Sequence, residues 1–98
     1  MNIDGRTNTR RVWVDGRELS PTRSQSLRLH SHDGFAWGYS GSGPAQLALA
    51  ILLQAGVPED IAMTRYQDFK REIIAALPMD QNFEINIQIG VDGSWVKT

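Results

Sequence analysis

Short pieces of alternating apolar and polar side chains occupy the first forty residues, a period typical of β-strands. Residues 11–14 and 17–19 predict two strands joined at Asp15-Gly16, because Asp and Gly tolerate the positive φ of a two-residue turn. Alternation returns at residues 26–31 and 35–39. The first half of the chain is therefore predicted to hold four strands.

The middle of the chain changes to a helical pattern. Strong helix formers, apolar nearly all round, predict a helix buried on most sides from Pro44 in its first turn to an exit at Gly56. A second helix is predicted from Pro58 to Pro78, with its apolar residues three or four positions apart on one face. These apolar residues are Ala62, Tyr66, Phe69, Ile73 and Leu77.

Strict alternation at residues 83–89 predicts a half-buried strand, and residues 91–96 predict a turn and a short partner strand. The order ββββ-αα-ββ predicts an α+β fold, an antiparallel sheet with a two-helix hairpin packed on one face. We interpret residues 1–98 as a single domain whose polar residues 1–9 form a flexible arm. A homodimer is a further hypothesis, since a terminal strand such as 83–89 can pair across a two-fold axis.

Composition excludes several classes of function. The 98 residues contain no Cys, which excludes a disulfide scaffold, a thiolate zinc site and a cysteine nucleophile. A net charge of −1 argues against nucleic acid as a partner. No apolar run reaches the roughly 18 residues of a spanning helix, and no signal peptide is recognisable. We therefore expect a cytoplasmic protein with no membrane contact.

The segment 34–46 carries the strongest functional signal, with four glycines and three aromatic residues leading into the predicted helix. Unpaired N–H groups and the helix dipole make such an entrance suitable for a phosphate or carboxylate. The pattern predicts a non-enzymatic protein that captures an anionic small molecule, such as a nucleotide phosphate, without a cofactor. The candidate contact residues are Trp37, Tyr39, Ser40, Gly41, Ser42, Gly43 and Gln46. Alternatively, the serines and glycines only cap the helix and turn the chain.

Established catalytic motifs do not fit this segment. A P-loop requires a lysine where Pro44 follows the second glycine, and a dinucleotide fingerprint requires a glycine at Gln46. A nucleophile elbow requires a glycine two residues after Ser40. Serine catalysis with a histidine base is therefore disfavoured, and we predict no catalytic residues.

Two alternative functions remain open. His30 and His32 project from one face of an extended chain, which makes them metal-ligand candidates for a metal-dependent hydrolase, although residues 32–34 also suit a simple turn. A protein-interaction or inhibitor domain is the other alternative, with binding at an exposed strand edge or aromatic patch.

Residues 34–52, with the sequence GFAWGYSGSGPAQLALAIL, and flanking residues 14–19 and 66–70 are similar to a small uncharacterised domain family found in bacteria, phages and mobile elements. The resemblance covers about residues 11–78 and implies no established activity. It implies a setting in which a small protein binds a host or defence component or a signalling nucleotide. Members of that family commonly end in a helix, whereas residues 83–89 here alternate like a strand.

Overall fold

Five antiparallel strands form one sheet, and the core that they share with the helices lies on the face that carries Ile3, Val12, Val14 and Ile87. The computed structural model describes all 98 residues. The strands are β1 (Asn2–Arg6), β2 (Arg11–Val14), β3 (Arg17–Glu18), β4 (Phe83–Ile89) and β5 (Trp95–Lys97), and their order across the sheet is β3-β2-β1-β4-β5. The helices are α1 (Thr22–Leu27), α2 (Ser42–Gln54) and α3 (Glu59–Phe69), and a π-helical turn (Lys70–Ile74) continues α3. The prediction of an antiparallel α+β fold is confirmed.

The polar start of the chain is a central strand, which corrects the prediction of a flexible arm at residues 1–9. β1 pairs with β2 on one side and β4 on the other, and Ile3 is fully buried. A Cβ on Gly5 would lie 2.1 Å from the ring of Phe83, so glycine leaves room for that ring on the buried face. β1 packs against Phe83, which lies far along the chain, so the local sequence pattern of residues 1–9 does not reveal that this strand is part of the core.

Two of the four strands predicted in the first half of the chain are absent, whereas β1 and α1 are additional elements. The order of elements is therefore βββ-ααα-ββ. Residues 26–31 alternate, but the chain forms α1 followed by a loop, and the Ser24 hydroxyl donates to the Pro21 carbonyl within that helix. Residues 35–39 form no strand, although Phe35 and Trp37 are both buried. Their side chains alternate because this loop covers the core, not because it joins a ladder.

The two long helices occur where the pattern predicts them. Every residue from position 43 to 53 of α2 is buried, and Gly56 leaves the helix with φ of 90°. The apolar face predicted for the second helix is also buried, from Ala62 to Leu77. That helix continues into the π-helical turn, where the Ala75 N–H donates to the Lys70 carbonyl and Ile73 and Ile74 are both buried. The predicted two-helix hairpin is therefore corrected to three helices with a π-helical extension.

The predicted β2–β3 hairpin and the C-terminal strands are confirmed. Asp15 and Gly16 have φ of 50° and 82°, as a tight two-residue turn requires. β4 lies between β1 and β5, so both of its edges are already paired. Pairing of residues 83–89 across a two-fold axis is therefore excluded, and the edges of the sheet are β3 and β5. None of the helices has both the length and the apolarity needed to cross a bilayer.

Replacing Ile3 by alanine tests whether β1 belongs to the core. We expect Ile3→Ala to lower the free energy of unfolding by about 2–4 kcal/mol, because it removes a fully buried side chain and leaves a cavity. Asn8→Ala, in the exposed turn after β1, is the matched control and should change stability by less than about 0.5 kcal/mol. Urea unfolding measures the stability of both variants. Equally small losses of stability in the two variants would support the flexible arm and contradict a core role for β1.

Candidate functional site

Trp37 is a core residue, which corrects the prediction from the sequence pattern that it contacts a ligand. It is fully buried, its Nε1–H donates to the Gln81 carbonyl at 2.9 Å, and its ring meets Phe83 edge-on with centroids 4.8 Å apart. The Arg10 guanidinium lies 5.6 Å from the Trp37 ring centroid. Neither the ring nor its N–H is available to a ligand from solvent.

The glycines beside Trp37 allow the chain to pack against other backbone. Gly38 has φ of 85°, and a Cβ there would lie 2.4 Å from the Met79 Cα. Its N–H donates to the carbonyl of Ile74 at 3.0 Å. Gly43 is equally constrained, since a Cβ would lie 2.6 Å from the Ala36 Cβ. These two glycines therefore have a structural role that requires no ligand.

Gln46 is also engaged within the protein. Its buried side-chain amide makes four hydrogen bonds that attach α1 and the loop after it to α2. Its Oε1 accepts from the N–H groups of His30 and Ser31 at 2.8 and 3.1 Å. Its Nε2 donates to the Ser24 hydroxyl and the Arg28 carbonyl at 2.9 and 3.2 Å. The hydrogen-bonding capacity of this amide is filled, so Gln46 offers nothing to a ligand.

The remaining predicted contacts lie at the exposed entrance to α2. Tyr39, Ser40 and Ser42 are exposed, and Gly41 precedes the helix without a side-chain cap. The N–H groups of Ser42 and Gly43 donate to no protein acceptor, and the first turn contains no acidic residue. None of the three cavities includes residues 37–46. The entrance thus retains free amides but has no enclosed space in front of them.

The two histidines, His30 and His32, lie in different environments. His30 Nε2 lies 2.7 Å from the Tyr66 hydroxyl oxygen, whereas His32 is exposed. Burial lowers the pKa of His30, and the charges of Arg28 and Lys70 lower it further. No group of three His, Cys, Asp or Glu side chains is arranged to hold a metal ion. The structure therefore gives the metal-dependent hydrolase no complete ligand set.

The sheet ends in two edges with different chemistry. β3 exposes the charged residues Arg17 and Glu18, a composition that discourages pairing with another strand. β5 carries Trp95, which is partly buried, Val96, which is 64% exposed, and Lys97. The apolar character of β5 makes it the edge more suited to a partner.

Ladder geometry shows which backbone groups of β5 are free. The Thr98 N–H donates to the Asn86 carbonyl, and the Gly90 N–H donates to the Ser94 carbonyl. In an antiparallel pair these inward-facing residues alternate with residues whose N–H and C=O groups point outward. The backbone groups of Trp95 and Lys97 therefore point away from β4, toward solvent.

A groove of about 560 Å³, six of whose nine lining residues are hydrophobic, lies directly beside this edge. Its hydrophobic lining consists of Met1, Ala55, Ile87, Ile89, Trp95 and Val96. Trp95 is anchored there, because its ring packs edge-on against Phe69 at 5.1 Å between centroids and its Nε1–H donates to Glu72 at 3.1 Å. The edge and the groove form one surface, which we call the β5 surface.

The turn before β5 holds this surface in place. Asp92 Oδ1 accepts from the Ser94 N–H and hydroxyl at 3.1 and 2.7 Å, and these bonds lower the pKa of Asp92. Gly93 has φ of 82° and packs against Arg65. The sequence predicts the turn and a short strand, but only the strand order shows that β5 lies at an edge of the sheet.

Comparison with known proteins identifies a family whose function is unknown. A model of DUF6166, a family of unknown function, matches residues 3–96. No curated protein and no solved structure matches the chain. Functional inference therefore depends on the geometry of the chain itself.

Gln46→Leu tests the structural role of the buried amide. We expect it to lower the free energy of unfolding by about 2–4 kcal/mol, because leucine keeps the volume but leaves the N–H groups of His30 and Ser31 without an acceptor. Gln54→Leu, at an exposed position of the same helix, is the control and should change stability little. If both variants unfold at the same urea concentration, the hydrogen bonds of Gln46 do not hold the loop.

Proposed function

We propose that this chain, which belongs to the family DUF6166, is a non-enzymatic protein-interaction module that pairs the β5 edge with an extended segment of a partner chain. The observation that carries the proposal is the outward-facing backbone of Trp95 and Lys97 beside an apolar groove. Strand addition uses these two features together: the free backbone supplies affinity, and an adjacent pocket for alternate side chains supplies selectivity.

The contrast between the two edges supports this assignment. A partner strand at β3 would meet Arg17 and Glu18, and Glu18 already forms an ion pair with Arg11 at 2.6 Å. A partner strand at β5 would instead cover Val96 and place a side chain over the groove beside Trp95. Burial of apolar area at β5 favours association, whereas desolvation of charge opposes it at β3.

The resemblance described above fits such a role. A small module in bacteria, phages or mobile elements can act by attaching to a host or defence component in the cytoplasm, and strand addition requires no catalytic machinery. A binding role agrees with the incomplete metal site and with the internal use of Trp37 and Gln46.

A peptide library displayed on phage and selected against the purified protein tests the proposal. We expect selected peptides to lose about tenfold in affinity when Lys97→Pro removes an outward N–H, because one backbone hydrogen bond is lost. Glu18→Pro removes the equivalent outward N–H from β3 and should leave affinity unchanged. Isothermal titration measures both variants, and peptides that bind Lys97→Pro as well as the parent protein would contradict the proposal.

A second candidate function is anion capture at the entrance to α2. The free N–H groups of Ser42 and Gly43 favour it, together with the exposed hydroxyls of Ser40 and Ser42 and the exposed ring of Tyr39. The site would be a shallow surface site that uses backbone donors, since Trp37 and Gln46 are buried.

Titration with inorganic phosphate and with nucleotides, followed by amide NMR, tests anion capture. We expect the amide signals of Ser42 and Gly43 to shift with saturation. Ser42→Pro removes one donor at a helix position that tolerates proline and should weaken binding about tenfold, whereas Ser42→Ala keeps the donor and should bind nearly as the parent does. Signals that stay unchanged at high phosphate, or an equal effect of both substitutions, would refute this candidate.

A further inference from the structure

We propose that the partner strand at the β5 surface is β5 of a second copy of this chain, related by a two-fold axis that passes beside Val96. This inference rests on the proposed function and deepens it by naming the partner. Its consequence is a continuous sheet that joins the five strands of each copy.

Backbone register is the first argument. With Val96 opposite the partner subunit's Val96, Trp95 faces the partner subunit's Lys97 and Lys97 faces the partner subunit's Trp95. Trp95 and Lys97 are the residues whose N–H and C=O groups point outward. Every outward-facing backbone group of β5 thus finds an acceptor or donor in this register, as alternation in an antiparallel ladder requires.

Side-chain pairing is the second argument. The two Val96 side chains meet on the face opposite the helices, at the close spacing of a non-hydrogen-bonded pair, which buries a valine that is 64% exposed in one copy. On the helix-bearing face, the partner subunit's Lys97 lies across from Trp95. Its alkyl stem covers the end of the apolar groove, and its ammonium group is placed near an aromatic ring.

The other edge explains why this assembly stops at two copies. The outward-facing residue of β3 is Glu18, because the Leu19 N–H donates inward to the Val12 carbonyl. A two-fold pairing of β3 would set Glu18 against the partner subunit's Glu18, and like charges directly opposite each other are destabilising. The two-fold arrangement uses both β5 edges and leaves a charged β3 at each end of the sheet, so growth into a fibre is disfavoured.

Sedimentation equilibrium across a range of protein concentrations tests the inference. We expect the parent chain to form a dimer, and Val96→Lys to weaken dimerisation at least about tenfold because two ammonium groups then face each other. Val91→Lys adds the same charge at a position that is 71% exposed in the turn before β5, and it should dimerise like the parent. Circular dichroism confirms that each variant is folded.

A mixture of variants makes the test specific for the register. Val96→Glu alone should weaken dimerisation as Val96→Lys does, but an equimolar mixture of Val96→Lys and Val96→Glu should recover dimers, since opposite charges then meet across the axis. Equal dimerisation of the parent and Val96→Lys, or no recovery in the mixture, would overturn the assignment.

The peptide selection separates this inference from the proposed function. A chain that stays monomeric up to about 1 mM, yet binds peptides at β5, refutes only the second copy. A chain that neither dimerises nor binds peptides at β5 refutes both. If the chain dimerises as proposed, selected peptides compete with the second copy for the β5 edge.

Discussion

The structure depends on a helix that is apolar on all sides in a domain with only one sheet. Residues 43–53 of α2 are all buried, but one face of the sheet can cover only part of such a helix. The remaining sides are covered by α1, by α3 with its π-helical turn, and by the loop that carries Phe35 and Trp37. The glycine-rich segment therefore first serves to bring a loop close to the core, as the hydrogen bond from the Gly38 N–H to the carbonyl of the buried Ile74 shows.

The same constraint determines where binding is possible. Side chains on the helix-bearing face of the sheet are used by the core, and those around α2 are used to cover it. The exposed surface comprises the polar outer face of the sheet, its two edges, the outward faces of α1 and α3, and the uncapped start of α2. Of these, β5 combines unpaired backbone with an apolar groove, whereas the entrance to α2 offers donors without an enclosed space. We therefore prefer the C-terminal strand β5 as the binding site over the glycine-rich turn that the sequence predicts.

Features set by neighbouring residues were predictable from the sequence. The Asp15-Gly16 turn, the apolar run of α2, the spacing of α3 and the alternation of β4 each carry a local pattern, and each is present. Features set by distant residues were not predictable. Gly5 in β1 depends on Phe83, and the loop at His30 depends on Gln46. Residues 39–42 lie exposed at the start of a helix, as the sequence predicts, whereas the burial of Trp37 was not predictable because burial of an aromatic residue in a loop follows from packing.

Amide hydrogen exchange at β5, followed by NMR at low and high protein concentration, detects directly whether a partner strand pairs with this edge. The amide of Val96 faces β4 in every state and serves as the internal reference. The account predicts that the amides of Trp95 and Lys97 exchange rapidly in dilute protein and become protected as concentration rises, because a partner strand then accepts their hydrogen bonds. Unprotected exchange of both amides at all concentrations, and in the presence of selected peptides, would contradict it.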